Sequence, residues 1–399
     1  MKKALAALSC TLALMVAVYA DPVEIQLWHY FSGPDGPWFE KVVSDFNASQ
    51  SKIKVVSQMV PREELLKQYT IGLVGGNLPD IGMVDNPEHA SFAAMGLFLD
   101  ISDKIKGWEG DGKFFKGPWK SCVYNGKVYG VPHNSNCLAL YYNEDMLKAA
   151  GVQPPTTWSE LETAAKKLTK PGVFGLAICA IGNEEGTFQY LPWLLSSGAT
   201  IEKLNSPESI KSLTFLTGLI KKGYMSNEVI NWTQADVEKQ FATGRAAMMV
   251  NGPWNLSAVK TDAPNMNWYL AKIPKDKVYS SVLGGENFGI IANSKHPAEA
   301  WEFLKYMSRP DVMENFAKNA GKFPPRADVM NGSTYWKSDR LLKVFTEQME
   351  YAMPRGPHPK WPEISSAIYT AFQEAFTMTK TPEQALQDAQ NKVDKALTK

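Results

Sequence analysis

The residue types that most often do chemistry are thinly spread along this 399-residue chain. None of the five histidines lies at metal-ligand spacing from another, and no cysteine pair does either. The chain has no dinucleotide-binding fingerprint, no glycine-rich phosphate loop and no Gly-x-Ser-x-Gly nucleophile motif. The sequence therefore predicts no metal, no cofactor and no catalytic nucleophile.

Two carboxylates, Asp85 and Glu286, are the pair that a glycoside hydrolase could use. Such an enzyme needs its two carboxyl groups roughly 5 to 9.5 Å apart, a distance that sequence does not define. A secreted glycan-active hydrolase therefore stays open as an alternative function, with a surface adhesin as a weaker third.

Tryptophan is the more informative residue type, because four of the twelve fall in or beside predicted loops. These four are Trp193, Trp232, Trp254 and Trp361. Aromatic rings stack on the C–H faces of sugars, while amides and carboxylates bind sugar hydroxyls. The pattern favours a polyhydroxylated ligand, although packing in the core is the alternative for each tryptophan.

A run of four polar residues, 133–136, stands between two apolar strands at 127–131 and 138–142. Asn125 and Gly126 precede the first strand and are typical of a type I′ hairpin turn. The polar run indicates a chain that passes from one structural unit into another beside a cleft, or else an ordinary polar loop.

The elements that must position these residues begin with a β-α-β-α-β order. Strands are predicted at 23–28, 53–58 and 79–84, with helices at 38–47 and 63–74 between them. This order predicts a parallel sheet, and ligands bind beyond the carboxyl ends of such strands. The loops at 29–35 and 85–87 lie at that end.

A second α/β unit follows, with strands predicted at 174–178, 246–251 and 268–273. Thr157 and Glu160 form the signature of a capping box at the start of one of its helices. The length of the chain also favours two domains. The predicted fold class is α/β.

The first 20 residues have the features of a secretory signal peptide. Lys2 and Lys3 precede an apolar stretch, and small residues at 18 and 20 predict cleavage after Ala20. No later stretch is long and apolar enough to span a membrane. The mature protein is therefore expected to be exported and soluble.

The net charge excludes one further class of protein, and the cysteines leave one question open. Loss of Lys2 and Lys3 with the leader changes the formal net charge from +1 to −1, so no nucleic-acid partner is expected. Cys122 and Cys137 flank the predicted hairpin, and whether they form a disulfide is left open.

Six motifs, in order along the chain, resemble those of the solute-binding proteins of ABC importers, in the maltose- and glycerol-phosphate-binding family. The motifs are Trp28, His29, Ser32 and Gly33; residues 78–81 with Asp85; residues 129–132 with 140–143; residues 244–249 with 251–254; residues 284–287; and residues 382–386. The resemblance covers nearly all of residues 21–399.

The resemblance implies a two-lobe periplasmic-binding-protein fold, with a hinge and a ligand cleft between the lobes. Lobe I would comprise residues 21–132 plus 275–323, and lobe II residues 133–274 plus 324–399, with crossings near His133, Pro274 and Pro324. The implied function is capture of a carbohydrate and its delivery to the permease of an ABC transporter, in the periplasm or outside the cell, by a monomer.

The predicted ligand-binding residues combine this resemblance with the loop tryptophans. They are Tyr30, Ser32, Asp85, Asn134, Ser135, Asn136, Trp193, Trp232, Asn251, Gly252, Trp254, Gly285, Glu286, Asn287, Arg355 and Trp361. Glu286 would repel a phosphate, which favours a neutral sugar, whereas Arg355 keeps an anionic polyol such as glycerol phosphate open as an alternative.

Overall fold

A computed structural model describes residues 21–33, 35–356 and 358–397. The predicted signal peptide lies outside the described residues. The strands are β1 (Val23–His29), β2 (Ile53–Met59), β3 (Ile81–Asp85), β4 (Val123–Tyr124), β5 (Lys127–Val128), β6 (Val131–Pro132), β7 (Ala139–Asn143), β8 (Met248–Asn251), β9 (Trp268–Ala271), β10 (Ser281–Leu283), β11 (Glu286–Ile290) and β12 (Ala352–Pro354).

The helices flank these strands along the whole chain. They are α1 (Asp35–Ser49), α2 (Arg62–Gly75), α3 (His89–Ala94), α4 (Ser102–Ile105), α5 (Lys116–Ser121), α6 (Glu144–Ala149), α7 (Trp158–Leu168), α8 (Glu184–Ser196), α9 (Pro207–Lys221), α10 (Gln234–Ala242), α11 (Leu256–Asp262), α12 (Pro297–Met307), α13 (Pro310–Asn319), α14 (Ala327–Gly332), α15 (Tyr335–Ser338), α16 (Arg340–Met349), α17 (Trp361–Phe376) and α18 (Pro382–Leu397). Short 3-10 helices occupy Asn86–Glu88, Asn227–Asn231 and Pro253–Asn255.

The first lobe is built on a five-stranded sheet with the order β2-β1-β3-β11-β6. Strand β1 runs parallel to both β2 and β3, which confirms the parallel arrangement predicted from the β-α-β-α-β order. Strand β11, from much later in the chain, adds antiparallel to β3. Side chains such as Leu27, Phe39 and Phe288 form the core between this sheet and its helices.

The second lobe contains a three-stranded antiparallel sheet with the order β8-β7-β9. Its core joins residues of β7 and α8 to the closing helices α17 and α18. The capping box at the start of α7 is confirmed, since Thr157 and Glu160 each bond the backbone of the other.

The segment predicted as a strand at 174–178 is not a regular strand. It makes isolated bridges, from Phe174 to Ala246, from Leu176 to Met225 and from Ala177 to Met249. Its backbone bonds alternate between two neighbours: the amide of Gly175 donates to Tyr224, and the amide of Ala177 donates to Met248. No continuous ladder with one partner forms, so that prediction was wrong in detail.

The predicted hairpin turn at Asn125 and Gly126 is confirmed, because both residues have positive φ, at 48° and 74°. The strand predicted at 127–131 is instead divided into β5 and β6. Gly130 lies between them, where an added Cβ would come within 2.5 Å of the His89 ring and 2.7 Å of the Phe288 carbonyl. This close approach interrupts regular pairing.

The segments that connect the two lobes bond to one another. Ser135 exchanges backbone hydrogen bonds with Phe323, and Asn136 does the same with Gly284. Strands β10 and β12 pair in parallel beside them. The polar run at 133–136 therefore pairs with two segments from much later in the chain, and its role as a crossing between the lobes stays a prediction.

The cysteines of the described residues are not paired with one another. Cys122, Cys137 and Cys179 are free and buried, so Cys122 and Cys137 form no disulfide in the structure. Over the described ranges, no helix has both the length and the apolar character needed to cross a membrane.

Candidate ligand-binding cleft

A cleft of about 580 Å³ lies between the two lobes. Its first-lobe wall is the edge where β1 and β3 end and β11 begins. Tyr30 and Ser32 follow β1, Asp85 ends β3, and Glu286 begins β11 directly opposite Asp85. This is the edge at which ligands bind in open α/β sheets.

The second-lobe wall is built mainly from the starts of helices. Glu184 and Phe188 lie in the first turns of α8, and Gln234 begins α10. Trp254 lies in the 3-10 helix at Pro253–Asn255, and Arg355 follows β12. Two further residues come from the connecting segments, namely Asn136 and Lys322.

Eight of the predicted ligand residues line this cleft. They are Tyr30, Ser32, Asp85, Asn136, Trp254, Gly285, Glu286 and Arg355. They come from distant parts of the chain, and the fold brings them to one surface. Their contact with a ligand stays a prediction.

Three of the predicted tryptophans do not line the cleft, because their rings pack elsewhere. Trp193 has no exposed surface and lies against Trp158. Trp232 packs against the second-lobe core. Trp361 is 1% exposed, and its Nε1 donates to Glu184 Oε2 at 3.0 Å, so it supports a cleft residue from behind.

Three other predicted ligand residues lie outside the lining and form hydrogen bonds within the protein. The side-chain amide of Asn251 donates to the Gln234 carbonyl at 2.9 Å, and that of Asn287 donates to Ser121 at 2.9 Å. Gly252 accepts the Tyr141 hydroxyl at 2.7 Å. These three position the walls of the cleft rather than form them.

Asn134 and Ser135 lie in the polar run predicted to connect the lobes. Both are almost fully buried. The Asn134 carbonyl packs so closely on Gly285 that an added Cβ there would lie 2.2 Å from it. Because Gly285 also has φ +139°, a conformation that L side chains rarely adopt, this turn requires glycine.

Several lining residues are absent from the predicted ligand residues, among them five charged ones and two aromatic ones, although Asp35 ends the loop at 29–35 that was predicted to lie at the binding edge. They are Phe31, Asp35, Arg62, Glu184, Glu185, Phe188 and Lys322. Glu184 follows the end of the segment at 174–178, so the rule for strand ends would have found it had it been applied to the second unit. Lys322 directly precedes the predicted crossing at Pro324.

Arg355 is the centre of a buried ionic network at the base of the cleft. Its guanidinium donates to Asp85 Oδ1 at 2.9 Å and to Glu184 Oε1, and its Cζ lies 4.4 Å from the centroid of the Phe188 ring. Burial raises the pKa of Glu184, while Arg355 acts against that rise. Arg355 thus stabilises the ionised form of both carboxylates.

A second ionic network in the cleft is centred on Lys322. Lys322 Nζ lies 3.0 Å from Asp35 Oδ2 and 5.0 Å from the centroid of the Trp254 ring. Burial raises the pKa of Glu286, and the nearby Lys322 acts against that rise. Burial also raises the pKa of Asp35, again opposed by Lys322. Arg62, the third cation of the cleft, is paired with Glu88 and Glu63.

Five buried polar atoms on the cleft residues have no hydrogen-bond partner in the protein. They are Tyr30 Oη, Asp35 Oδ1, Asn136 Oδ1, Asn255 Nδ2 and Glu286 Oε2. Buried polar atoms are normally paired, because leaving one unpaired costs about 1 to 3 kcal/mol. A ligand with several hydroxyl groups could satisfy them.

Two lobes with separate sheets, joined by short segments around a polar cleft, define a two-lobe binding protein. A sequence profile of the bacterial extracellular solute-binding proteins matches residues 41–344. The chain belongs to this family. A binding protein of Brucella abortus (strain 2308) is 28% identical over 97% of this chain and 96% of its own. The sn-glycerol-3-phosphate-binding periplasmic protein of Escherichia coli O1:K1 is 25% identical over 96% and 94%.

Solved structures agree with the fold. A solute-binding protein of an ABC transporter from Thermotoga lettingae, bound with α-D-tagatose, has a TM-score of 0.87 and 28% identity, over 94% of this chain and all of that one. The maltose-bound MalE3 of T. maritima has a TM-score of 0.85 and 25% identity, over 93% and 99%. The two-lobe periplasmic-binding-protein fold is confirmed.

Proposed function

We propose that this protein captures a carbohydrate in the cleft between its lobes and delivers it to the membrane permease of an ABC transporter. The observation that carries the proposal is the set of five unpaired buried polar atoms beside Phe188 and Trp254. Sugars present hydroxyl groups on their edges and C–H groups on their faces, which match such a surface. Relatives and structural neighbours that bind sugars support the same function.

The charges of the cleft favour a neutral or cationic ligand over an anionic polyol such as glycerol phosphate. Among the described lining residues, each cation is already paired with a carboxylate. The first amide of α10, a position that often binds phosphate, donates instead to Glu185 at 3.0 Å. A phosphate would have to compete with an internal carboxylate for every positive group.

The hydrolase alternative is disfavoured by the bonding of Asp85. Its Oδ1 accepts the amide of Asn86 at 2.8 Å and the guanidinium of Arg355 at 2.9 Å. A carboxylate held in this way is poorly placed to act as a nucleophile or base opposite Glu286. The proposal is therefore binding without chemistry on the sugar.

Closure of the lobes around the sugar is the proposed means of capture. We assign residues 21–132 plus 275–323 to lobe I and residues 133–274 plus 324–399 to lobe II. Separate core clusters support two lobes, with Leu27 and Phe303 in one and Leu140 and Phe372 in another. Val282, from the 275–323 segment, packs in the second cluster. The permease would recognise the closed form, and the protein would act as a monomer.

The family places the protein outside the cytoplasm, and its description as extracellular supports a periplasmic or secreted location. We propose that residues 1–20 are the signal peptide, removed after Ala20. Mass determination of the mature protein from its own cells should show Asp21 as the first residue.

A thermal-shift screen tests the proposed function. Neutral monosaccharides and oligosaccharides, together with glycerol phosphate, are added to the purified mature protein, and the products are then analysed. At 100 times its Kd, a true ligand stabilises the native state by about 2.7 kcal/mol, so the melting temperature should rise with at least one sugar. Stabilisation by glycerol phosphate alone would contradict the proposal. If the protein cleaves a sugar and Glu286→Gln abolishes this cleavage, the hydrolase alternative would replace the proposed function.

A further inference from the structure

The unpaired atoms of the cleft are mostly acceptors, and this bias restricts the kind of sugar that fits. Three of these atoms are Asp35 Oδ1, Asn136 Oδ1 and Glu286 Oε2. An ionised carboxylate oxygen and an amide oxygen accept hydrogen bonds and donate none. Only Asn255 Nδ2 is solely a donor, and Tyr30 Oη can do both. A neutral hydroxyl group has only one donor, so one hydroxyl can bond only one of the three acceptors.

Two of the three acceptors, on Asn136 and Glu286, flank the turn at Gly284 and Gly285, and Asp35 is related to them through Lys322. Asn136 exchanges backbone hydrogen bonds with Gly284, and its Oδ1 lies 2.2 Å from where a Gly284 Cβ would stand. Asp35 and Glu286 both interact with the same ammonium, that of Lys322. Asn136 is 4% exposed, so its acceptor is nine-tenths buried and belongs to the floor of the cleft.

The charged side chains of the cleft lining are also biased, in this case towards negative charge. Five carboxylates and three cations line the described part of the cleft. Lys322 interacts with both Asp35 and Glu286, but Asp35 Oδ2 lies 3.0 Å from it and leaves Oδ1 of the same carboxylate unpaired. Asp85 and Glu184 share the charge of Arg355. The lining therefore keeps an excess of negative charge.

We propose that the sugar favoured by this cleft carries a protonated amino group, bound among Asp35, Asn136 and Glu286. This inference rests on the proposed function and names the chemical class of the ligand more narrowly. An ammonium group has three donors and no acceptor, which matches three acceptor atoms. Hydrogen bonds between charged groups are roughly twice as strong as neutral ones, so the match should govern specificity.

The inference also predicts that protons are exchanged with the buffer when an amino sugar binds. Burial raises the pKa of Glu286. Lys322 and the side-chain amide of Asn134 act to lower it, and Asp85 and Asp35 act to raise it. A cation bound beside Glu286 would lower that pKa, and Glu286 would raise the pKa of the bound amino group, so binding of an amino sugar is linked to proton exchange with the buffer. The heat of binding an amino sugar should then depend on the ionisation enthalpy of the buffer, and the heat of binding its neutral parent should not.

The experiment is calorimetric titration with matched sets of three sugars. Each set contains a parent hexose, its 2-amino form and its N-acetyl form, in the gluco, galacto and manno series, as monosaccharides and as oligosaccharides. We expect at least one amino sugar to bind about tenfold more tightly than both its parent and its N-acetyl form, since charge-assisted bonds are the stronger ones. Glu286→Gln should abolish this preference, whereas Glu302→Gln, which alters an exposed carboxylate on α12 that pairs with Lys305 outside the cleft, should keep it.

The outcomes separate this inference from the proposed function. If parent sugars bind as tightly as their amino forms in every set, the inference is overturned and sugar capture still stands. If the preference survives Glu286→Gln, the assigned site is overturned. If no sugar in any set binds, both the inference and the proposed function fail.

Discussion

Replacing Arg355 by Met should lower the free energy of unfolding by about 3 to 5 kcal/mol, because the buried Glu184 and the partly buried Asp85 would lose their cation. Arg355 is 3% exposed and pairs with both Asp85 and Glu184. Equilibrium urea unfolding measures the loss. Arg309→Met is the matched control: Arg309 and Asp311 form an exposed pair, whose removal should change stability by less than about 1 kcal/mol.

The cost of Arg355→Met should also depend on pH. Burial raises the pKa of Glu184, and loss of Arg355 removes the main opposition to that rise. A carboxyl group whose pKa is higher in the folded state destabilises the protein above that pKa, and the penalty disappears as protons bind at lower pH. The difference between variant and wild type should therefore shrink from pH 7.5 to pH 5. A loss that is small at both pH values, or that grows on acidification, would contradict the assigned role of Arg355.

Replacing Trp254 by Ala should weaken sugar binding by about 1 to 3 kcal/mol, because loss of a buried aromatic contact at an interface has effects of this size. Trp254 lies on the cleft with Lys322 over its ring, and the centroid of the Phe188 ring is 6.2 Å from its own. Calorimetric titration with a sugar identified in the thermal-shift screen measures the change.

Trp301→Ala is the control for this second prediction. Trp301 is buried in the first-lobe core against Trp108 and lines no part of the cleft. Its replacement should cost about 3 to 5 kcal/mol of stability, as large core truncations do, and leave the affinity of the folded protein unchanged. If Trp254→Ala instead lowered stability and kept full affinity, Trp254 would be a packing residue.

Local signals predicted much of the fold. The turn at Asn125 and Gly126 and the capping box of Thr157 and Glu160 depend on neighbours in sequence, and both are present. The parallel pairing of β1 with β2 and β3 also followed from the order of elements. The strand-end rule then identified Ser32 and Asp85 at the edge that became one wall of the cleft.

Long-range pairing explains what could not be predicted. Arg355 and Glu184 are 171 residues apart, and no local pattern connects them. Trp361 was predicted in or beside a loop, but it begins α17 and faces inward to donate to Glu184. A tryptophan near a loop can turn its ring to the core or to the cleft, and only tertiary packing decides which.

Small-angle X-ray scattering of the mature protein, with and without a saturating sugar, tests the central claim most directly. If the sugar is captured between two lobes that close on it, it favours the closed state through contacts with both walls, and the radius of gyration should fall at saturation. Calorimetry on the same sample must show one sugar bound per chain. Full occupancy with an unchanged radius of gyration would contradict capture by closure of the lobes.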